Sequence, residues 1–121
     1  MLEQDLYTYL AATFSTYTFF WGKINPETPT NGVIINFFTV GNVGAKLTPS
    51  YLNVIQLSVR GEYIDDVQEA GNAIIKHFHL FNGNIGEYKV WVSDVTTNSI
   101  LYEEENLVHL PIILSVKFTE L

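Results

Sequence analysis

The sequence has 121 residues, of which 47% are hydrophobic, 14% aromatic and only 16% charged, and it contains no cysteine. This length suits a single domain over residues 1–121, and the lack of cysteine excludes disulfides and cysteine-ligated zinc. The net charge is −7, and the six basic residues are scattered along the chain. Nucleic-acid binding needs clustered lysine and arginine, so this composition argues against specific binding to nucleic acid or to an anionic membrane.

The chain begins with a predicted helix and two predicted strands. Apolar residues at helical spacing predict an amphipathic helix over residues 2–14. Its acidic start lacks the basic residues of a signal peptide, so we expect no secretion. The aromatic and β-branched segment 16–23 and the apolar run 32–41 favour strands. The proline-containing loop 25–31 between them suggests a hairpin with a long connection.

A third strand is predicted to run directly into a second helix. Alternating apolar and polar residues over 51–61 predict a strand with one face in water. Over residues 64–81 the apolar residues recur three and four positions apart, which predicts a helix. Asp65 and Asp66 fall in its first turn, where carboxylates favour the positive end of the helix dipole. The Asn and Gly residues of 82–86 are expected to close this helix.

The last third of the chain alternates again and predicts two further strands. One is EYKVWVSDV (87–95), and the other is HLPIILSVKFTEL (109–121), with the acidic LYEEEN between them. Pro111 cannot donate to a ladder, so we expect an edge or a bulge there. The order is α-β-β-β-α-β-β. It predicts an α+β fold, in which two helices pack on a mainly antiparallel, sandwich-like sheet.

Four charged residues crowd the predicted junction between the third strand and the second helix. Arg60, Glu62, Asp65 and Asp66 could form carboxylates beside an arginine clamp, as acid–base catalysis uses. The same residues also suit a purely structural junction between strand and helix. In that case Arg60 lies on the solvent-facing side of the strand, and the aspartates stabilise the start of the helix. Since the stretch holds no nucleophile and no glycine-rich anion loop, we interpret it as structural, with a possible interface role.

Histidine and glutamate groups offer two candidate metal sites, and both have a simpler interpretation. His77 and His79 lie on a predicted helix, where residues two apart point about 200° away from each other. We expect His77 to face solvent and Phe78 to join the core. The acidic run 103–105 is interpreted as a solvated loop. The sequence also lacks the common catalytic motifs, so we predict no catalytic residue, no metal and no cofactor.

The layout of the whole chain resembles a known family. A short helix and two strands precede VIQLSVRG, which runs straight into DDVQEAGNAIIKHF; GEYKVWVSDV, LYEEEN and a closing HLPIILSVKFTEL follow. This pattern, over most of residues 2 to 119, resembles the small tail-terminator (tail-completion) proteins of long-tailed bacteriophages. That family includes proteins named minor capsid proteins in phages of Gram-positive bacteria.

The resemblance implies a structural role in the virion. Such proteins form a ring, usually of six copies, on the last disc of the tail tube, where the ring stops tube growth and meets the head connector. The implied partners are further copies of the chain, the tail-tube protein and the head-connector protein. The implied location is the head–tail junction of the virion, after synthesis in the host cytoplasm.

Two features of the composition agree with this role. Few charges and many aromatic residues suit extensive subunit contacts. The net negative charge suits a ring through which DNA must pass without binding, because like charges repel. The candidate contact residues for the ring and the tube are Arg60, Glu62, Asp65, Asp66, Pro26, Lys46, Tyr102, Glu103 and Glu104.

Two alternatives stay open at this point. The chain could be another head–tail joining or tail-tube-like protein, because such proteins share folds and composition. It could also be a small ligand-binding or enzymatic α+β domain with a pocket between sheet and helix. A ring protein should bury exposed apolar surface when it assembles, whereas an enzyme should keep a concave pocket with convergent polar groups.

Overall fold

The computed structural model describes residues 2–21, 33–44, 51–104 and 107–121. In chain order its elements are α1 (Leu2–Thr13), β1 (Thr18–Trp21), β2 (Ile34–Gly44), β3 (Tyr51–Gly61), α2 (Ile64–Phe78), β4 (Asn82–Ile85), β5 (Tyr88–Thr97), β6 (Leu101–Glu104) and β7 (Leu107–Glu120). Two helices and one sheet confirm the predicted α+β class.

The described strands form one mixed, curled sheet. Its order is β1-β2-β3-β7-β5-β4, and β6 pairs with β7 beyond the end of β5. The β1–β2 pair is parallel and the other pairs are antiparallel. The predicted β1–β2 hairpin is therefore wrong, because a parallel pair needs a crossover connection. The sheet curls into a half-barrel where the sequence predicted a sandwich.

The end of α2 also differs from the prediction. The helix ends at Phe78, and the backbone N–H of His79 donates to Ile75. Leu80 then adopts a left-handed conformation, with φ of 57°. Glycine usually fills this place after a helix, because a Cβ is unfavourable there. Residues 82–85, which were expected to close the helix, form β4 instead.

The core lies on one face of the sheet, where the strand register aligns apolar side chains in rows. One row pairs Phe37 with Leu57 and Leu57 with Ile112, and all three are fully buried. Helix α2 packs over β3, β7 and β5. The buried residues of α2 are Val67, Ala70, Gly71, Ile74 and Phe78. The 3-4 spacing in the sequence thus predicted the buried stripe of α2.

Helix α1 packs against the two strands at opposite ends of the strand order. It contacts β1 and β4, which the curl of the sheet brings within reach of one helix. Leu6 and Leu10 are buried in the core. The Asp5 carboxylate accepts a hydrogen bond of 3.3 Å from the backbone N–H of Glu87, in the turn between β4 and β5. Helix α1 therefore lies beside both strands at the ends of this order, where unpaired edges invite pairing with other chains.

Pro111 lies in the middle of the sheet and not at its edge, so the edge prediction is wrong. It is buried and pairs with Ser58 of β3. Its carbonyl accepts a 3.3 Å hydrogen bond from the backbone of Asn98, in the break between β5 and β6. Because the N and C=O of a strand residue point to the same side, the missing N–H faces this break and leaves no regular ladder bond unmade.

Helix α2 lies close to the sheet at Gly71. A Cβ added there would collide with Cδ2 of Leu110 on β7. The Gly71→Ala change should therefore destabilise the protein. Overpacking costs about 1–3 kcal/mol, and this exceeds the helix-propensity gain of about 1 kcal/mol.

A double-mutant cycle with Leu110→Ala checks this contact by urea unfolding. The double variant should lose clearly less than the sum of the single losses, because the new methyl enters the space that Leu110 vacates. Asn72→Ala, on the exposed side of α2, is the control and should change stability by less than about 0.5 kcal/mol. Additive losses would contradict the close approach.

Candidate functional site

The acidic residues of the junction lie in water at the start of α2. Glu62, Asp65 and Asp66 are exposed, and between them lie Tyr63, which is 67% exposed, and Ile64, which is 37% exposed. Tyr63 is the N-cap residue and makes no side-chain capping bond. Asp65 and Asp66 stand in the first turn, where they complement the helix dipole as predicted. We call residues 62–66 the junction surface.

The Arg60 side chain contacts the neighbouring strand of the sheet. Its side chain is half-buried, and Nη1 donates a 2.6 Å hydrogen bond to Oδ1 of Asn36 on β2. Asn36 is itself buried. Arg60 thus ties β2 to β3, which favours the structural interpretation of this residue over a substrate clamp.

On the face of the sheet opposite the core, the polar side chains are more buried than the sequence predicted. Ser58 is only 1% exposed, and Gln56 and Arg60 are half-buried. The Gln56 amide donates to the Ser58 hydroxyl at 3.0 Å. His109, which pairs with Arg60 across β3 and β7, is buried on the same face. The alternation in β3 predicted the strand correctly, but the prediction that these polar side chains face water is wrong.

The remaining predicted contact residues are placed only in part. Pro26 and Lys46 lie outside the described residues. Tyr102, Glu103 and Glu104 lie on β6, whose backbone pairs with the first residues of β7. Leu101 of β6 and Arg60 of β3 each pair with His109, so these two residues lie at the same end of β7. Leu101 is 48% exposed, so this end also presents an apolar side chain.

A second exposed surface was missed at the sequence level. Lys89 and Trp91 lie two apart on β5, and Trp91 pairs with Lys117 of β7, so all three share the face opposite the core. The Lys89 Nζ lies 5.3 Å from the centroid of the Trp91 ring. Both lysines are exposed and the tryptophan is half-buried. We call these three residues the lysine surface. Strand pairing unites basic residues that are far apart in sequence.

His77 lies in an aromatic cluster, so the expectation that it faces solvent is wrong. Its Nε2 is 2.5 Å from the hydroxyl of Tyr9 on α1. Its ring centroid lies 5.4 Å from that of Phe14, 5.0 Å from that of Phe78 and 5.6 Å from that of Phe81. Burial lowers the pKa of His77 below its ordinary value. The cluster thus holds α1 against the end of α2.

A shallow groove brings Asp66 near other titratable groups. Tyr17, Asp66 and Glu69 line it together with Thr16 and Val33. Burial raises the pKa of Tyr17, and the negative charges of Glu69 and Asp66 raise it further. Among the side chains that the structure describes, no group of three His, Asp or Glu residues is arranged to hold a metal. Neither described helix is long and apolar enough to cross a membrane.

Comparison with known proteins adds evidence on the fold. No family model matches the chain, and no curated protein matches its sequence. Fifteen chains of solved structures do match. One of them, a protein whose name carries no functional description, has a TM-score of 0.62 at 18% identity, over 98% of this chain and 91% of that chain. At this identity the likeness shows a shared fold and nothing about activity.

Acid should weaken the contact between α1 and α2 through His77. Because burial lowers its pKa below 6.5, the unfolded chain takes up the proton before the folded protein does. The stability from neutral His77 is therefore complete above about pH 6.5 and is lost as the pH falls toward the lower pKa of the folded state. We expect urea midpoints at pH 7.5 and pH 5 to differ more for the wild type than for His77→Gln.

Tyr9→Phe is the matched control, because it removes the hydroxyl and keeps the imidazole. It should lower stability by about 1 kcal/mol at both pH values and retain the pH dependence. An unchanged pH dependence in His77→Gln would show that this histidine does not link pH to stability.

Proposed function

We propose that the chain is a structural protein of the tail-terminator kind, which forms a ring on the end of a phage tail tube. The observation that carries the proposal is the presence of two different exposed surfaces near opposite ends of β7. The junction surface follows Gly61, which pairs with Val108 near the start of β7. The lysine surface includes Lys117, near the end of the same strand.

Two different surfaces per copy are what a ring of identical copies requires. In a ring, each copy contacts the next through one surface and the previous copy through another. From Val108 to Lys117 the strand advances nine residues, which spans roughly 30 Å at 3.3 Å per residue. The two surfaces of one copy are too far apart to meet, so they are available to neighbouring copies.

The exposed side chains suit such contacts. Tyr63 and Ile64 are large exposed residues between the exposed carboxylates of Glu62 and Asp65, and Leu101 is 48% exposed. Aromatic residues at the centre and charged residues at the rim are typical of protein interfaces. In the ring, the net charge of −7 repels the phosphates of DNA and keeps the passing genome from sticking. The ring covers the last disc of the tube, stops its growth and presents a surface to the head connector.

One observation favours the rival class of a ligand-binding or enzymatic domain. The groove beside Tyr17, Asp66 and Glu69 is a concave place where titratable groups converge. Convergent polar groups in a concavity are the usual mark of a small-molecule site. The two classes differ in what they predict for the mass of the protein in solution.

Light scattering over a wide concentration range tests the ring. We expect the mass to climb reversibly toward six subunits, with discs in electron micrographs of the concentrated sample. Tyr63→Ala should shift this climb to higher concentration, because it removes a 67% exposed aromatic side chain from the contact. Asn72→Asp, at an exposed site on α2, is the control and should assemble like the wild type. A monomer at every concentration, without discs, would contradict the ring.

A further inference from the structure

The two exposed surfaces are complementary, and this identifies how copies meet. We propose that the lysine surface of one copy docks on the junction surface of the next copy. The inference rests on the proposed function, because it specifies which surfaces join the ring.

The lysine surface offers two cations around an aromatic ring. Lys89 and Lys117 flank Trp91 on the sheet face away from the core. Both described helices pack their buried residues into the core on the other face of the sheet. Neither of these helices packs over Lys89, Trp91 or Lys117. A half-buried tryptophan supplies a large and rigid contact area, which is why tryptophan is enriched where binding energy concentrates.

The junction surface offers the opposite pattern. Glu62, Asp65 and Asp66 supply three exposed carboxylates, and Tyr63 and Ile64 supply exposed apolar groups between them. Docking sets carboxylates against ammonium groups and Tyr63 against the ring of Trp91. Charge complementarity of this kind fixes the register of an interface and excludes wrong arrangements.

The same charges disfavour the symmetric alternative. In a twofold dimer whose axis passes through one of these surfaces, that surface meets its own copy, so lysine would face lysine, or aspartate would face aspartate. Like charges placed opposite each other in an interface are strongly unfavourable. The charges therefore favour a contact between the two different surfaces. Made head to tail, this contact repeats from copy to copy and can close into a ring.

A nucleic acid is the other occupant that two lysines and a tryptophan could attract. Phosphate binding depends on several clustered cations, and this surface has two on a chain whose net charge is −7. The junction surface of a second copy carries its negative charge in a compact patch with matching apolar groups. The second copy is therefore the better fit.

Charge reversal tests the contact directly. One variant carries Lys89→Glu and Lys117→Glu, and the other carries Asp65→Lys and Asp66→Lys. Each variant alone has two surfaces of like charge, so its assembly should require a roughly tenfold or greater increase in concentration. The equimolar mixture of the two variants, and a single chain with all four changes, should assemble at about the concentration of the wild type, because complementarity is restored in both.

Two controls keep the result interpretable. Thermal unfolding checks that each variant folds. Lys76→Glu makes the same reversal at an exposed lysine outside both surfaces and should leave assembly unchanged. Because the natural chain has no cysteine, single Asp66→Cys and Lys89→Cys variants allow a further test. A mixture of the two should form a disulfide-linked pair under mild oxidation, at a higher yield than either variant alone.

The outcomes separate the contact from the ring. If the wild type assembles and both reversed variants assemble equally well, this contact is wrong and the ring stands. If the wild type is monomeric at every concentration and the cysteine mixture traps no pair, both proposals fail. If a single-stranded oligonucleotide binds the wild type, and reversal of the lysines abolishes binding without affecting assembly, the lysine surface serves nucleic acid and the contact is overturned.

Discussion

The fold depends on β7 being hydrogen bonded along both of its edges. β3 pairs with one side of it, and β5 followed by β6 pairs with the other. Because β7 is central, α2 packs against its apolar side chains. The close contact between Gly71 of α2 and Leu110 of β7 is part of this packing. It also explains how a proline is tolerated in mid-sheet: Pro111 faces the break between β5 and β6, where the ladder is interrupted.

The curl of the sheet divides the molecule into a closed side and an open side. On the closed side, α1 contacts both β1 and β4, and the cluster around His77 holds α1 to α2. The junction surface and the lysine surface lie outside these contacts and carry exposed side chains. On the face opposite the core, hydrogen bonds join Arg60 to Asn36 and Gln56 to Ser58.

Local pattern was enough to predict the elements that bury one regular face. The alternation in 51–61 predicted β3, and the 3-4 spacing from Ile64 predicted α2. Strand β4 is too short to show a period, and the parallel pairing of β1 with β2 depends on contacts far apart in the chain. The junction acids were found because they are neighbours in sequence. The lysine surface was not found, because only the register of β5 on β7 brings its residues together.

The place of β7 in the chain has a consequence for biosynthesis. It follows the other described strands in sequence, yet it occupies the middle of the sheet. While the ribosome is still making residues 107–120, β3 and β5 have no partner at the edges that β7 will fill. The nascent chain therefore carries two open edges beside an unfinished core, a state prone to aggregation. Because these pairings join distant parts of the chain, the sheet is expected to fold slowly, and late, as one cooperative step.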